Sequence, residues 1–167
     1  YGIDYIKIDF LDVNAISKIV KHFDLVIGAV PGFMGYNVLE VVLTSQVNVV
    51  DISFMQEDSR ELNNLAKKNG VTAITDAGIA PGLSNLLFGK AYSDFDKLNS
   101  ATCYVGGLPQ SPKPPWWYKS VFSPIDVIEE YTRPARFIRD GKIITKPAMT
   151  DIEQVEFSKI GYLDAFN

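Results

Sequence analysis

The sequence predicts an α/β fold: a partial doubly wound parallel sheet, followed by part of an α+β domain. Three observations point there. Short β-branched runs start at positions 24, 47 and 71, amphipathic stretches fill the gaps between them, and the style of the sequence changes after residue 97.

The runs are DLVIGAVP (24–31), VNVVDISF (47–54) and VTAITDAG (71–78). Continuous Val and Ile closed by small or turn-forming residues is how strands of a buried parallel sheet read. The opening stretch DYIKIDF also has strand character. DVNAISKIVKHF sets Ile16, Ile19, Val20 and Phe23 at helical spacing behind Asp12, a cap candidate. FMGYNVLEVVLTS carries Val38, Leu39, Val42 and Leu43 on one side. EDSRELNNLAKKNG offers Asp58 with Glu61 as a capping box and Gly70 as a helix stop. A fourth helix is expected to begin near Pro81 and to run through LSNLLFGKAY. Strand and helix alternating at this period give βαβ units.

The domains read as 1–97 and 98–167. In the second, SATCYVGGLPQ is expected to be a strand with Cys103 pointing inward. SPIDVIEEYT reads as a helix entered through Ser123 and Pro124, and RPARFIRDGKIIT as a hairpin turning at Asp140-Gly141. The chain starts at Tyr1 in strand-like sequence and stops in the alternating pattern YLDAFN, so a piece of a longer protein is expected.

Composition narrows the function classes. Of 167 residues, 47% are apolar and 22% charged, and 16 Lys and Arg face 20 Asp and Glu. A scattered, outnumbered basic set predicts no nucleic-acid partner. No apolar run approaches a membrane span. The single Cys103 allows no internal disulfide and no Cys-rich metal site, the single His22 argues against a His-based one, and a reducing, cytoplasmic setting is expected. His22 falls on a helix away from the strand ends and is expected at the surface.

Ligands of an open parallel sheet sit beyond the carboxyl ends of its strands. Those ends are AVPGF (29–33), DISFM (51–55) and DAGIAPG (76–82), each rich in small residues and followed by a helix. Any one corner alone reads first as a plain βα turn, but three on one edge point to a ligand. Open helix-start amides there would suit a nucleotide. The dinucleotide fingerprint G-x-G-x-x-G is absent, because Gly32 and Gly35 in PGFMG lack its first pair.

The strings DLVIGAVPGFMGYNVLEVVL, VVDISFMQED, ITDAGIAPGLSNLLFGK, YVGGLPQSPKPPWWYK and SPIDVIEEYTRPARFIRDGK resemble the saccharopine dehydrogenase-like family, and within it the lysine 6-dehydrogenase branch. The resemblance is collinear and spans nearly the whole chain. It implies an NAD(P)-binding Rossmann domain followed by an α+β substrate and dimerisation domain, hence a homo-oligomer. It also implies oxidation of an amino-acid C–N bond by hydride transfer to NAD or NADP. The ε-amine of L-lysine is the leading substrate; saccharopine, a carboxylated polyamine and a non-catalytic scaffold are the alternatives. By the same resemblance the first βαβ unit, with its glycine fingerprint, lies before Tyr1 and the rest of the second domain after Asn167. Weak or no nucleotide binding by these residues alone is therefore expected.

Carried onto this chain, Val30, Pro31 and Gly32 line the nicotinamide and its ribose, and Asp51 and Ser53 reach the ribose or carboxamide. Gly78, Ala80, Pro81 and Gly82 let backbone approach the ring, where a Cβ would intrude. Asp76 either holds the substrate ammonium and relays its proton or merely caps its own turn. Asp51, Tyr104 and Tyr118 are further proton acceptors. Gly106, Gly107, Trp116, Trp117 and Tyr118 either wall a pocket for an aliphatic side chain or pack an interface. Lys119, Arg133 and Arg136 either bind the substrate carboxylate or are solvated.

Overall fold

A computed structural model describes residues 2–109, 111, 113–115, 119–120 and 122–167. The chain divides into two compact units, Tyr1–Cys103 and Tyr104–Asn167.

The first unit runs α1 (Val13–Val20), β1 (Leu25–Gly28), α2 (Gly32–Thr44), β2 (Asn48–Asp51), a 3-10 turn (Ser59–Leu62), α3 (Asn63–Asn69), β3 (Ala73–Ile74) and α4 (Leu83–Asp94). The strands form one parallel sheet in the order β1-β2-β3. Asp12 caps α1, accepting from the Asn14 and Ala15 amides at 3.0 and 3.1 Å. Gly70 ends α3 at φ +66°, a left-handed stop that glycine adopts without a Cβ penalty.

The helical layer covers one face of this sheet. Ile16 and Val20 of α1, Val38, Leu39, Val42 and Leu43 of α2, and Val49 of β2 make a single buried cluster, against which Val26 and Ala73 pack. Leu43 is wholly buried. Truncating it to Ala costs about 2–5 kcal/mol through lost burial and the cavity left behind.

On the opposite face the register lines up Ile27, Val50 and Ile74 across the three strands. Ile27 is 72% and Ile74 55% exposed, so this face is uncovered among the described residues. Helix α4 also buries no residue.

The second unit contains α5 (Pro124–Thr132) and two antiparallel hairpins: β4 (Ala135–Arg139) with β5 (Lys142–Lys146), and β6 (Glu153–Phe157) with β7 (Gly161–Ala165). The first hairpin turns at Asp140-Gly141, both at positive φ. Asp151 accepts from Asn167 Nδ2 at 2.8 Å and pairs with Lys146, so the end of β5 and the chain terminus meet at one carboxylate.

Several sequence expectations are corrected. Residues 4–10 form no strand, and Ile3, Tyr5 and Ile6 stay exposed, because no described segment offers them a ladder partner. The stretch 100–109 is not a strand either, and Cys103 is exposed rather than buried. The third strand is only two residues long: the chain turns away at Asp76, whose φ is +53°. Asp58 caps a 3-10 turn through the Arg60 amide, while Glu61 accepts from the Tyr36 hydroxyl instead of closing a capping box. Ser123 sits at the start of α5 with Pro124 behind it, but its hydroxyl makes no cap bond.

Candidate functional site

The three strand-end corners of the first unit are stitched together by backbone. The Ile52 amide donates to the Gly28 carbonyl at 2.9 Å, and the Ala77 amide donates to the Asp51 carbonyl at 3.0 Å. The second and third corners thus each hang on the end of the preceding strand, and the three strand ends form one edge of the sheet.

At the first corner Val30 and Pro31 are half-buried, and Gly32 opens α2 as a buried residue. Helix α2 has no side-chain cap, and its Met34 amide folds back to Pro31 at 2.9 Å.

At the second corner Asp51 is completely buried and Ser53 nearly so. Asp51 Oδ1 accepts from the Ser53 amide at 2.7 Å and Oδ2 from the Ser53 hydroxyl at 3.3 Å. Burial pushes the Asp51 carboxyl above its ordinary value. The two Ser53 bonds pull it partly back, and the nearby Asp76 charge adds a further push upward.

The third corner carries Asp76, exposed at φ +53°, followed by Gly78, Ala80, Pro81 and Gly82. The Asp76 carboxylate caps no turn among the described residues, so the Asx alternative does not occur. Nor do the first amides of α4 stand open. Leu83 donates to the Gly78 carbonyl at 2.9 Å and Ser84 to Ile79 at 3.1 Å, while Asn85 Oδ1 takes the Gly82 amide at 3.2 Å. The expectation of free amides for a phosphate or carboxamide is corrected at this helix. The reason for Gly82 changes too: its φ is +137°, and a Cβ there would strike the carbonyls of Gly78 and Asp76. The glycine answers to the loop's own backbone.

In the second unit Tyr104 donates its hydroxyl to Glu153 at 2.7 Å and packs edge-on against Phe157 at 6.0 Å between centroids. That bond to a carboxylate holds the phenol above its usual value, which opposes a role as base near neutrality. Arg133 pairs with Glu129 at 3.2 Å on the last turn of α5, whereas Arg136 on β4 and Lys119 are exposed. Trp116, Trp117 and Tyr118 lie outside the described residues. His22 is exposed, as expected. Among the described residues no cluster of His, Cys, Asp and Glu fits a metal, and no helix is long and apolar enough to cross a membrane.

Sequence reasoning missed the internal wiring of the second corner. Gly28 was its only signal, a glycine amid β-branched residues that marks close approach of another group.

Residues 1–74 match the family model described as the saccharopine dehydrogenase NADP binding domain. Residues 78–166 match the one described as the saccharopine dehydrogenase C-terminal domain. The chain belongs to the saccharopine dehydrogenase-like family. Saccharopine dehydrogenase (NADP(+), L-glutamate-forming) of Saccharomyces cerevisiae is 30% identical over 150 residues, 86% of this chain and 34% of that protein. Mitochondrial alpha-aminoadipic semialdehyde synthase of Bos taurus is 30% identical over 138 residues, 77% of this chain and 15% of that protein. The structure of apo histidine-tagged saccharopine dehydrogenase (L-Glu forming) from Saccharomyces cerevisiae shares the fold at a TM-score of 0.65 and 23% identity. It covers 96% of this chain, which in turn covers 38% of it. This saccharopine dehydrogenase-like chain therefore spans about a third of the yeast relative's length.

Proposed function

We propose that this chain is part of an NAD(P)-dependent oxidoreductase of lysine metabolism that cleaves an amino-acid C–N bond oxidatively. The observation that carries the reading is the family match itself: an NADP-binding model over residues 1–74, on the same sheet whose three linked corners line a single edge.

The edge suits the nicotinamide half of a dinucleotide. Val30, Pro31 and Gly32 offer a small apolar wall at the first corner, and the exposed Ala80 sits on the third. When bound, the nicotinamide supplies a hydride acceptor for the carbon that bears the substrate nitrogen. Asp76 is an exposed carboxylate at that edge. It holds the substrate ammonium and passes its proton to water, so that the nitrogen lone pair is free when the C–H bond breaks. Loss of the hydride leaves the substrate as an iminium ion, which water converts to a carbonyl and an ammonium. Arg136 and Lys119 are the cations offered to a substrate carboxylate, while Arg133 is already engaged by Glu129.

The yeast relative is named for saccharopine, a secondary amine, and the sequence strings point to L-lysine. Both carry an ammonium and a carboxylate. A cytoplasmic setting and a homo-oligomer belong to this reading as well. The deciding experiment assays the natural full-length polypeptide for reduction of NADP and NAD with saccharopine, L-lysine and carboxylated polyamines, beside Asp76→Asn. Activity with one amine identifies the substrate. No reduction with any amine supports the scaffold alternative, and a fully active Asp76→Asn removes Asp76 from its role.

A further inference from the structure

We propose that Asp51 is a positioning residue, shaping the cofactor-facing edge through Ser53 and Ala77 without touching the ligand. The inference rests on the nucleotide-binding reading of that edge.

Burying a carboxylate is costly unless its oxygens are satisfied, so the chain must gain something from placing one at a strand end. Both Asp51 oxygens are engaged by one residue: Oδ1 takes the Ser53 amide at 2.7 Å and Oδ2 its hydroxyl at 3.3 Å. With no exposed surface left, the side chain presents nothing to a ribose or a carboxamide.

The grip on Ser53 is closed from two more sides. A Cβ on Gly35 of α2 would come within 2.8 Å of Ser53 Cβ, so helix and corner touch where only glycine fits. Gly28 of β1, the register partner of Asp51, leaves its own Cβ space to the carboxylate. Asp51 therefore lies where β1, β2 and the first turns of α2 converge.

From that point it reaches the third corner as well. Its carbonyl accepts the Ala77 amide at 3.0 Å, one residue after the exposed Asp76. A single residue thus sets the turn that carries Ser53 and anchors the segment that presents Asp76. Misplacing such an edge by an ångström costs up to about 10²-fold in the function it supports.

The test compares wild type, Asp51→Ala and Asp51→Asn in the natural full-length polypeptide, reading amide hydrogen exchange and NADP and NAD affinity. The amide side chain of Asn keeps an acceptor for the Ser53 N–H but loses the charge. In Asp51→Ala, exchange at Ser53, whose amide loses its acceptor, is expected to quicken by about tenfold or more, with nucleotide affinity falling about tenfold, while the Ala77 amide keeps the residue-51 main-chain carbonyl. Asp51→Asn is expected to stay within about threefold of wild type in both readouts. Unchanged exchange in Asp51→Ala overturns the proposal, and so does a tenfold affinity loss in Asp51→Asn with exchange intact, which would reveal a charged ligand contact. Where Asp51→Ala does not fold, Asp51→Asn decides on affinity: a value within about threefold of wild type upholds the proposal, and a tenfold loss with exchange intact overturns it. If wild type binds neither nucleotide, the functional reading falls, whereas faster exchange at Ser53 in Asp51→Ala still upholds the side-chain tie from Asp51.

Discussion

A side chain on Gly28 and the carboxylate of Asp51 would claim the same space: a Cβ built on Gly28 runs into Asp51 Oδ2 and lies 2.8 Å from Cγ. The two residues are register partners at the ends of β1 and β2. Gly28→Ala is therefore expected to destabilise the fold by about 1–3 kcal/mol, the usual cost of overpacking a filled site. Urea denaturation checks this, and adding Asp51→Ser should recover part of the loss. A wild-type midpoint for Gly28→Ala alone would contradict the contact.

The Asp51 carboxyl is raised in the folded chain, first by burial, so the native state holds its proton to higher pH than the unfolded chain does. The sign follows directly: this group contributes least destabilisation below its unfolded value, and its cost grows as pH rises through the folded one. Asp51→Asn removes that cost. Urea midpoints from about pH 4 to about pH 7 should show the variant gaining on wild type as pH rises. A constant difference across that range would count against the raised value.

Gly82 holds φ +137° at the entry to α4, with the carbonyls of Gly78 and Asp76 where a Cβ would go. Gly82→Ala is expected to cost about 1–3 kcal/mol, the scale of a residue forced into sparsely populated backbone. Because Leu83 and Ser84 lean on the Gly78 and Ile79 carbonyls, the loss should be local. Faster amide exchange at Leu83 and Ser84, with Leu43 unaffected, is the expected pattern.

Tyr104 keeps its proton against Glu153, so it is a poor acceptor near neutrality. Tyr104→Phe should leave the neutral limb of a pH–rate profile in place. Glu153→Gln should lower the phenol titration seen by ultraviolet absorbance. A Tyr104→Phe enzyme whose neutral limb disappears would restore the tyrosine as a base.

The sequence by itself determined the parallel sheet, its helices and the strand-end edge proposed here for the ligand. These follow from local rules: β-branched runs need covering on both faces, Asp12 caps the helix beside it, and Gly70 and Asp140-Gly141 adopt backbone that few other residues accept. Tertiary structure alone decided which corner residues face outward. Asp51 and Asp76 look alike in the sequence, each a carboxylate after a β-branched run. The register that sets Asp51 beside Gly28 buries it against Ser53, while the left-handed turn at Asp76 leaves that carboxylate exposed. The strand-like stretch 4–10 found no partner for the same reason in reverse. A strand is made by hydrogen bonds to another strand, and burial by neighbours distant in sequence, so neither is written in the residues that undergo it.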